Sequence, residues 1–236
     1  MKSNKQLIKT LTALFFGLIG SGVLHFGVAL YILRVTGSSL SFAMTMIISP
    51  LVSIVFTPLV GHVVDRFSRK VIVRWAQIVS IITLLIFAGL FERVEPVLNL
   101  VIPTLIILKI ADIFFSSAYL AAVRGIVLDE QINRLQSLIS GFQSIAGIIS
   151  PVLGAALFAL LSMPVYIGLV ALFELIALMV NMSIDFRFNP LTRVETDQTQ
   201  GNVWQTFVQG FRYIRTRPDL IRMALVAMLV NFLLMS

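Results

Sequence analysis

The sequence of 236 residues contains no cysteine. The chain therefore has no disulfide, no thiol nucleophile and no thiolate ligand for a metal, and cysteine usage says nothing about its redox compartment. Charged residues are also scarce, since Asp, Glu, Lys and Arg make up 12% of the chain, against about 25% in an average soluble domain. Hydrophobic residues make up 58%. This balance excludes an ordinary soluble domain and predicts a membrane protein.

Acidic residues are fewer than basic ones, which gives a formal net charge of +7. A basic chain can indicate a nucleic-acid-binding protein. Here the basic residues lie in short segments between long apolar runs, a distribution that indicates membrane topology and no nucleic-acid partner. The sequence also has no Gly-rich phosphate loop, no carboxylate pair and no His-rich metal spacing. We therefore expect no ATP hydrolysis of the Walker type, no enzyme activity, no metal and no cofactor.

Six apolar runs are long enough to cross a bilayer, which takes roughly 20 residues of α-helix. A helix satisfies its own backbone hydrogen bonds where lipid offers no partners, so the predicted fold class is an all-α membrane protein. The runs occupy, approximately, residues 10–33, 41–61, 71–91, 97–121, 136–162 and 164–184. The first run follows three lysines, as the apolar part of a signal peptide would, but it is about twice the usual length of that part. We interpret it as a retained span.

The stretch after the sixth run has a different composition. Pro190 breaks the helix and residues 195–202 are polar, which predicts a linker. From Val203 to Ile214 apolar and aromatic residues recur at helical spacing beside arginines, which indicates a helix in the membrane interface or a soluble helix packed on the bundle. The predicted organisation is a six-helix transmembrane bundle at 1–185, a cytoplasmic linker with an amphipathic helix at 186–220 and the truncated start of helix 7 at 221–236.

The distribution of Lys and Arg predicts the orientation of the chain. With the N-terminus inside, fifteen of the 18 basic residues fall in inner segments, Arg34 and Arg93 fall in outer loops, and Lys109 falls within a span. Cytoplasmic segments carry an excess of Lys and Arg. We therefore expect a multi-pass protein of the plasma membrane, of bacterial origin, with a cytoplasmic N-terminus.

The most informative motif joins the second and third runs. It reads Gly61-His62-Val63-Val64-Asp65-Arg66-Phe67-Ser68-Arg69-Lys70. This order resembles the Gly-x-x-x-Asp-Arg-x-Gly-Arg-Lys loop between spans two and three of the major facilitator superfamily, with Ser68 in place of the second glycine. The resemblance implies a gating loop in which glycine allows close helix packing and the charged groups pair or cap helix ends. Its residues are Gly61, Asp65, Arg66, Arg69 and Lys70. In the alternative interpretation, the basic residues only set the orientation.

A second motif lies in the fifth run and consists of Gly147, Ser150, Pro151 and Gly154. It resembles a motif of superfamily antiporters that ends in Gly-Pro-x-x-Gly, with serine and alanine here in place of several of its glycines. Small residues let two helices approach closely, and proline bends a helix by removing a backbone hydrogen bond. The resemblance assigns this bend to the export direction of transport. The string at 210–215 in turn resembles the linker of the macrolide-efflux-like and siderophore-exporter-like branch of the superfamily.

Charged residues within the spans are the candidates for coupling to protons or substrate. Lys109 and Asp112 are three residues apart on one face of span four, and such residues usually face a wet cavity. The resemblance links a basic residue here to proton coupling, and a static ion pair is the alternative. Glu174 in span six is a candidate proton carrier or cation anchor, or a structural residue facing another helix. His25 in span one either opens on a cavity, where it would titrate usefully, or hydrogen-bonds a neighbouring helix.

The resemblance implies the N-terminal six-helix half of a twelve-span transporter, made of two inverted repeats. The implied function is proton-coupled export of a drug or another small amphipathic compound by alternating access, with the proton gradient as the energy source. The implied partners are the lipid bilayer, the substrate and a C-terminal half that is absent from this sequence. Two alternatives are a truncated, transport-inactive product and a non-transporting membrane accessory protein. The charges within the spans count against the accessory protein.

Overall fold

The computed structural model describes residues 2–94, 98–127 and 129–186, together with Arg222 and Val226. The described residues form six helices: α1 Lys2–Thr36, α2 Ser39–Arg66, α3 Arg69–Leu90, α4 Leu98–Ile126, α5 Asp129–Leu160 and α6 Met163–Met182. Each of them is long and apolar enough to cross a membrane. The chain divides into two compact units, 1–195 and 196–236. The predicted amphipathic helix and nearly all of the predicted start of helix 7 lie outside the described residues.

The prediction of an all-α fold with six spans is confirmed, but the helices extend beyond the apolar runs. Helix α1 begins at Lys2 and not near residue 10, and α5 begins at Asp129 and not near residue 136. Hydropathy marks the part of a helix that lies in lipid. Gln, Arg, Lys and Glu are good helix formers, so a helix continues through them beyond the apolar region.

The apolar runs leave residues 62–70 between the second and third spans, but the segment between α2 and α3 is shorter than that interval. Helix α2 continues to Arg66 and α3 begins at Arg69, so only Phe67 and Ser68 interrupt the two helices. The backbone N–H of Phe67 still donates to the carbonyl of Val63, at 3.1 Å, and the carbonyl of Ser68 accepts from the first turn of α3. The motif is therefore mostly helical, and its charged residues lie on both sides of the two-residue link Phe67–Ser68.

The helices of the first unit pack in a closed ring. Helix α1 contacts α5, α6 and α2, while α3 contacts α4 and α6, and α4 contacts α2. The ring therefore runs α1, α6, α3, α4 and α2, and α5 lies against α1. The side chain of Lys9 donates to the carbonyl of Ser183 at 3.0 Å, so the start of α1 and the end of α6 lie at the same end of the bundle.

Helices α1 and α6 approach each other closely at Gly27. The fully buried side chain of Tyr166 lies against Gly27, and its hydroxyl donates to the carbonyl of Val23. A Cβ added at Gly27 would overlap the ring of Tyr166, whereas a Cβ added at Gly168, on α6, would meet open space. Only a residue without a side chain therefore fits at Gly27.

We expect Gly27→Ala to destabilise the bundle by about 1–3 kcal/mol, the usual cost of overpacking a well-packed site. Tyr166 is enclosed on all sides and cannot move aside without breaking its hydrogen bond. The measurement is the thermal unfolding midpoint of the purified protein in detergent. Gly168→Ala is the matched control and should leave the midpoint unchanged or slightly higher. Equal midpoints for the two variants would contradict the close packing at Gly27.

Candidate functional site

A cavity of about 630 Å³ lies within the bundle and is lined by residues from all six helices. Most of its lining is apolar, with side chains such as Leu18, Leu84 and Val170. The polar and charged lining residues are Ser21, His25, Gln77, Ser80, Asp112, Ser116, Tyr119, Gln143, Ser150 and Glu174. An apolar wall with a few polar groups is typical of a site for a small amphipathic molecule.

Lys109 and Asp112 form an ion pair on α4, with 2.8 Å between Nζ and Oδ2. The two side chains are 21% and 43% exposed, and Asp112 lines the cavity. The pair is therefore open to the cavity on the Asp112 side. The two residues thus pair on one helical face, as their spacing indicates.

Glu174 and His25 also face the cavity, from α6 and α1. Asp112 interacts electrostatically with both of them, and Lys109 interacts with His25. Three candidates, His25, Asp112 and Glu174, thus face one space, and Lys109 is paired with Asp112. Neither Glu174 nor His25 has a hydrogen-bond partner among the residues that the structure describes. The predicted hydrogen bond from His25 to a neighbouring helix is therefore not formed with that part of the chain.

The motif at the end of α2 lies away from the cavity lining. Asp65 and Arg66 are exposed, and Arg69 and Lys70 are partly buried. None of these four forms an ion pair with another described residue, so the expected pairing within the motif is not seen. A Cβ added at Gly61 would meet open space, so the expected close packing at this glycine is not made with the described part of the chain either.

The motif of the fifth run lies where α5 meets α1 and the cavity. Gly147, Ser150 and Pro151 line the cavity. Ser150 is 3% exposed and packs directly on Gly22, and a Cβ added at Gly154 would lie 3.2 Å from the carbonyl oxygen of Val23. Small residues at these positions thus allow α5 to approach the backbone of α1, as the motif predicts. Pro151 lies inside α5, where it removes one backbone hydrogen bond.

The model of the Major Facilitator Superfamily matches residues 10–236 of this sequence. The chain belongs to the major facilitator superfamily. Its sequence is also 26% identical, over 223 residues, to macrolide efflux protein A of Streptococcus pyogenes. The alignment covers 92% of this chain and 53% of that protein, and the protein of the same name from serotype M6 gives the same values. The chain thus spans about half the length of the curated relatives that it matches. Membership of the superfamily points to a membrane transporter and not to an enzyme.

One polar contact of this superfamily bundle is not among the candidates that the sequence provided. The amide of Asn181 on α6 donates to Oε1 of Gln77 on α3, at 3.0 Å. The two side chains are 1% and 3% exposed. Both residues are amides within apolar runs, which is a visible signal, but the partner of each lies 104 positions away and could not be inferred from spacing.

The described part of the bundle offers no group of three His, Asp or Glu side chains that could hold a metal ion. Its charged groups instead surround a space of molecular size. The chemistry that this arrangement can perform is the exchange of protons or of a cation at carboxyl groups that face water within the membrane.

Proposed function

We propose that this chain is one half of a proton-coupled exporter of small amphipathic compounds, which works by alternating access. The single observation that carries the proposal is the cavity, in which Asp112 and Glu174 face the same largely apolar space. Its apolar wall would bind the hydrophobic part of a substrate. Its carboxyl groups would carry the proton, since ionisable groups held within a membrane mark proton or substrate pathways.

The relatives support the direction of transport, because both are named for macrolide efflux. Alternating access needs a second body against which this bundle can move. We propose that a second six-helix half supplies it, and that the cavity lies between the halves in the full-length protein. The proton gradient would be the energy source, so no cofactor is required. The predicted units at 1–185, 186–220 and 221–236 remain part of this proposal.

The test uses inside-out membrane vesicles that contain the full-length protein and a radiolabelled macrolide. We expect the macrolide to accumulate in energised vesicles and accumulation to stop when nigericin collapses the pH gradient. Vesicles without the protein are the control. Accumulation that persists without a pH gradient would contradict proton coupling. No accumulation of a macrolide or of any other amphipathic compound would favour a non-transporting accessory protein.

We further propose that the N-terminus and residue 198 both lie in the cytoplasm of a bacterial cell, with the bundle in the plasma membrane. An even number of crossings brings both ends of the bundle to one side, and this side carries most of the basic residues. Alkaline phosphatase fused after Gln198 should be inactive, because it folds only outside the cytoplasm. The same enzyme fused after Ser162, between α5 and α6, should be active. The opposite pattern would reverse the orientation.

In the full-length exporter, we expect Asp65→Asn or Arg69→Ala to leave the amount of inserted protein unchanged, because neither side chain has an ion-pair partner in the described bundle. Export should fall about tenfold, since a change of about 1.4 kcal/mol in the balance of two gate states alters their ratio tenfold. Vesicle transport and immunoblots measure the two quantities. His62→Gln is the matched control within the same segment. Export at the wild-type rate in both variants would leave the motif as a topology signal.

A further inference from the structure

Helix α6 carries three of its polar side chains at intervals of two turns. Tyr166, Glu174 and Asn181 are separated by eight and seven residues, so all three face the interior of the bundle. The opposite face carries Leu172, Leu175 and other apolar residues that are exposed. Glu174 thus lies about two turns from each of two polar residues, Tyr166 and Asn181, which we call the polar anchors of α6.

Each anchor forms a buried hydrogen bond, and the two bonds go to two different helices. The hydroxyl of Tyr166 donates to the carbonyl of Val23 on α1, near the start of α6. The amide of Asn181 donates to Gln77 on α3, at the end of α6. Tyr166, Gln77 and Asn181 are each at most 3% exposed. The two bonds therefore connect the two ends of α6 to two neighbouring helices.

These two hydrogen bonds help to determine which face of α6 points toward the cavity. In a soluble protein the contrast between apolar and polar faces orients a helix, but lipid is as apolar as the residues that α6 buries. Van der Waals packing of the buried side chains contributes to the choice of rotation, and the two buried hydrogen bonds add a directional preference for one rotation. If α6 turned about its axis so that Leu172 or Leu175 faced the bundle, Glu174 would move from the cavity toward lipid.

We propose that Tyr166 and the Gln77–Asn181 pair are positioning residues that fix the rotation of α6 and so hold Glu174 in the cavity beside Asp112. The functional importance of this arrangement rests on the proposed coupling role of Glu174. The rotation itself does not, and it can be measured without any transport assay.

The test exploits the absence of cysteine from this chain. Glu174→Cys introduces a single thiol into the full-length protein, in which any cysteine outside this sequence is replaced by serine. A thiol reacts with a small water-soluble maleimide only as the thiolate, which requires water. We expect Asn181→Leu, and more strongly Asn181→Leu with Tyr166→Phe, to slow the labelling of the Glu174→Cys protein several-fold. Leucine keeps the branched skeleton of asparagine and phenylalanine keeps the ring of tyrosine, while both lose the hydrogen-bonding group.

Ser116→Cys on α4 is the matched control, because Ser116 lines the same cavity. Its labelling rate should not change in the Tyr166→Phe and Asn181→Leu backgrounds. Equal labelling of the Glu174→Cys protein in all backgrounds would overturn the proposal. Equal slowing at both positions would also overturn it, because the bonds would then hold the whole bundle together without selecting a rotation of α6.

Export is measured separately in proteins that keep Glu174. We expect Tyr166→Phe with Asn181→Leu to shift the pH profile of export while Leu172→Ala, on the exposed face, does not. A change in labelling without any change in export would leave the rotation established and would contradict the coupling role of Glu174. The two assays therefore distinguish a failure of this inference from a failure of the proposed function.

Discussion

Glu174→Gln is expected to reduce pH-driven export to the level of vesicles that lack the protein. The amide has nearly the same size and shape as the carboxyl group, but it cannot take up or release a proton. Glu174 makes no hydrogen bond or ion pair with the described part of the chain, so the substitution leaves no partner unsatisfied there. The amount of inserted protein should therefore stay at the wild-type level. Transport of a radiolabelled macrolide and immunoblots of the same vesicles measure the two effects.

Glu174→Asp is the matched variant, because it keeps a carboxyl group on a side chain one methylene shorter. It should retain pH-dependent export at a reduced rate, since the proton carrier is present but displaced. If the Glu174→Gln protein instead exports with the pH dependence of the wild type, the proton must use another group. Asp112 and His25, which face the same cavity, would then be the next candidates.

The number and order of the helices could be predicted because lipid imposes a strong requirement on composition. A segment of about 20 apolar residues has few alternatives to a membrane-spanning helix. The ends of the helices could not be predicted from the same signal. Residues 129–135 and the segment from Gly61 to Arg66 are polar or mixed, yet they continue the helices, because leaving the lipid removes the need for apolar side chains and not the helix itself.

The site was only partly predictable, for a related reason. Lys109, Asp112, Glu174 and His25 were visible as ionisable residues within spans, since such residues are costly in lipid and usually functional. The arrangement of Asp112, Glu174 and His25 around one cavity could not be predicted, because buried and lipid-facing positions are both apolar and leave no periodic contrast. For the same reason the sequence left open whether Glu174 faces a cavity or another helix, and in the structure it lines the cavity.

The interhelical hydrogen bonds show the same limit of the sequence. Tyr166 can reach the carbonyl of Val23 only because Gly27 leaves room for its ring. Nothing in the spacing of these residues connects them, since they belong to the first and the last helix of the bundle. Packing between distant segments therefore decides which polar residues meet, and only the structure shows it.

The ion pair of Lys109 and Asp112 provides the second large expected effect. Removing one partner leaves the other charge within the membrane, which costs about 3–5 kcal/mol for a fully buried pair. The two side chains are 21% and 43% exposed, so water in the cavity solvates the remaining charge. We therefore expect a smaller cost of about 1–3 kcal/mol, the usual penalty for leaving one partner of a hydrogen bond unsatisfied. Lys109→Met should cost more than Asp112→Leu, because it leaves two carboxyl groups, Asp112 and Glu174, in the same cavity without the neighbouring cation.

The double variant, Lys109→Met with Asp112→Leu, separates the structural role of the pair from its role in transport. With both charges removed, neither position is left with an unpaired charge, so the amount of folded protein and its unfolding midpoint should return close to the wild-type values. Export that depends on pH should not return, because Asp112 no longer contributes a charge to the cavity. The midpoint is measured in detergent and export in vesicles, so the two results are independent. Restored export in the double variant would show that the pair only stabilises α4 within the bundle. Proton coupling would then have to reside in Glu174 or His25.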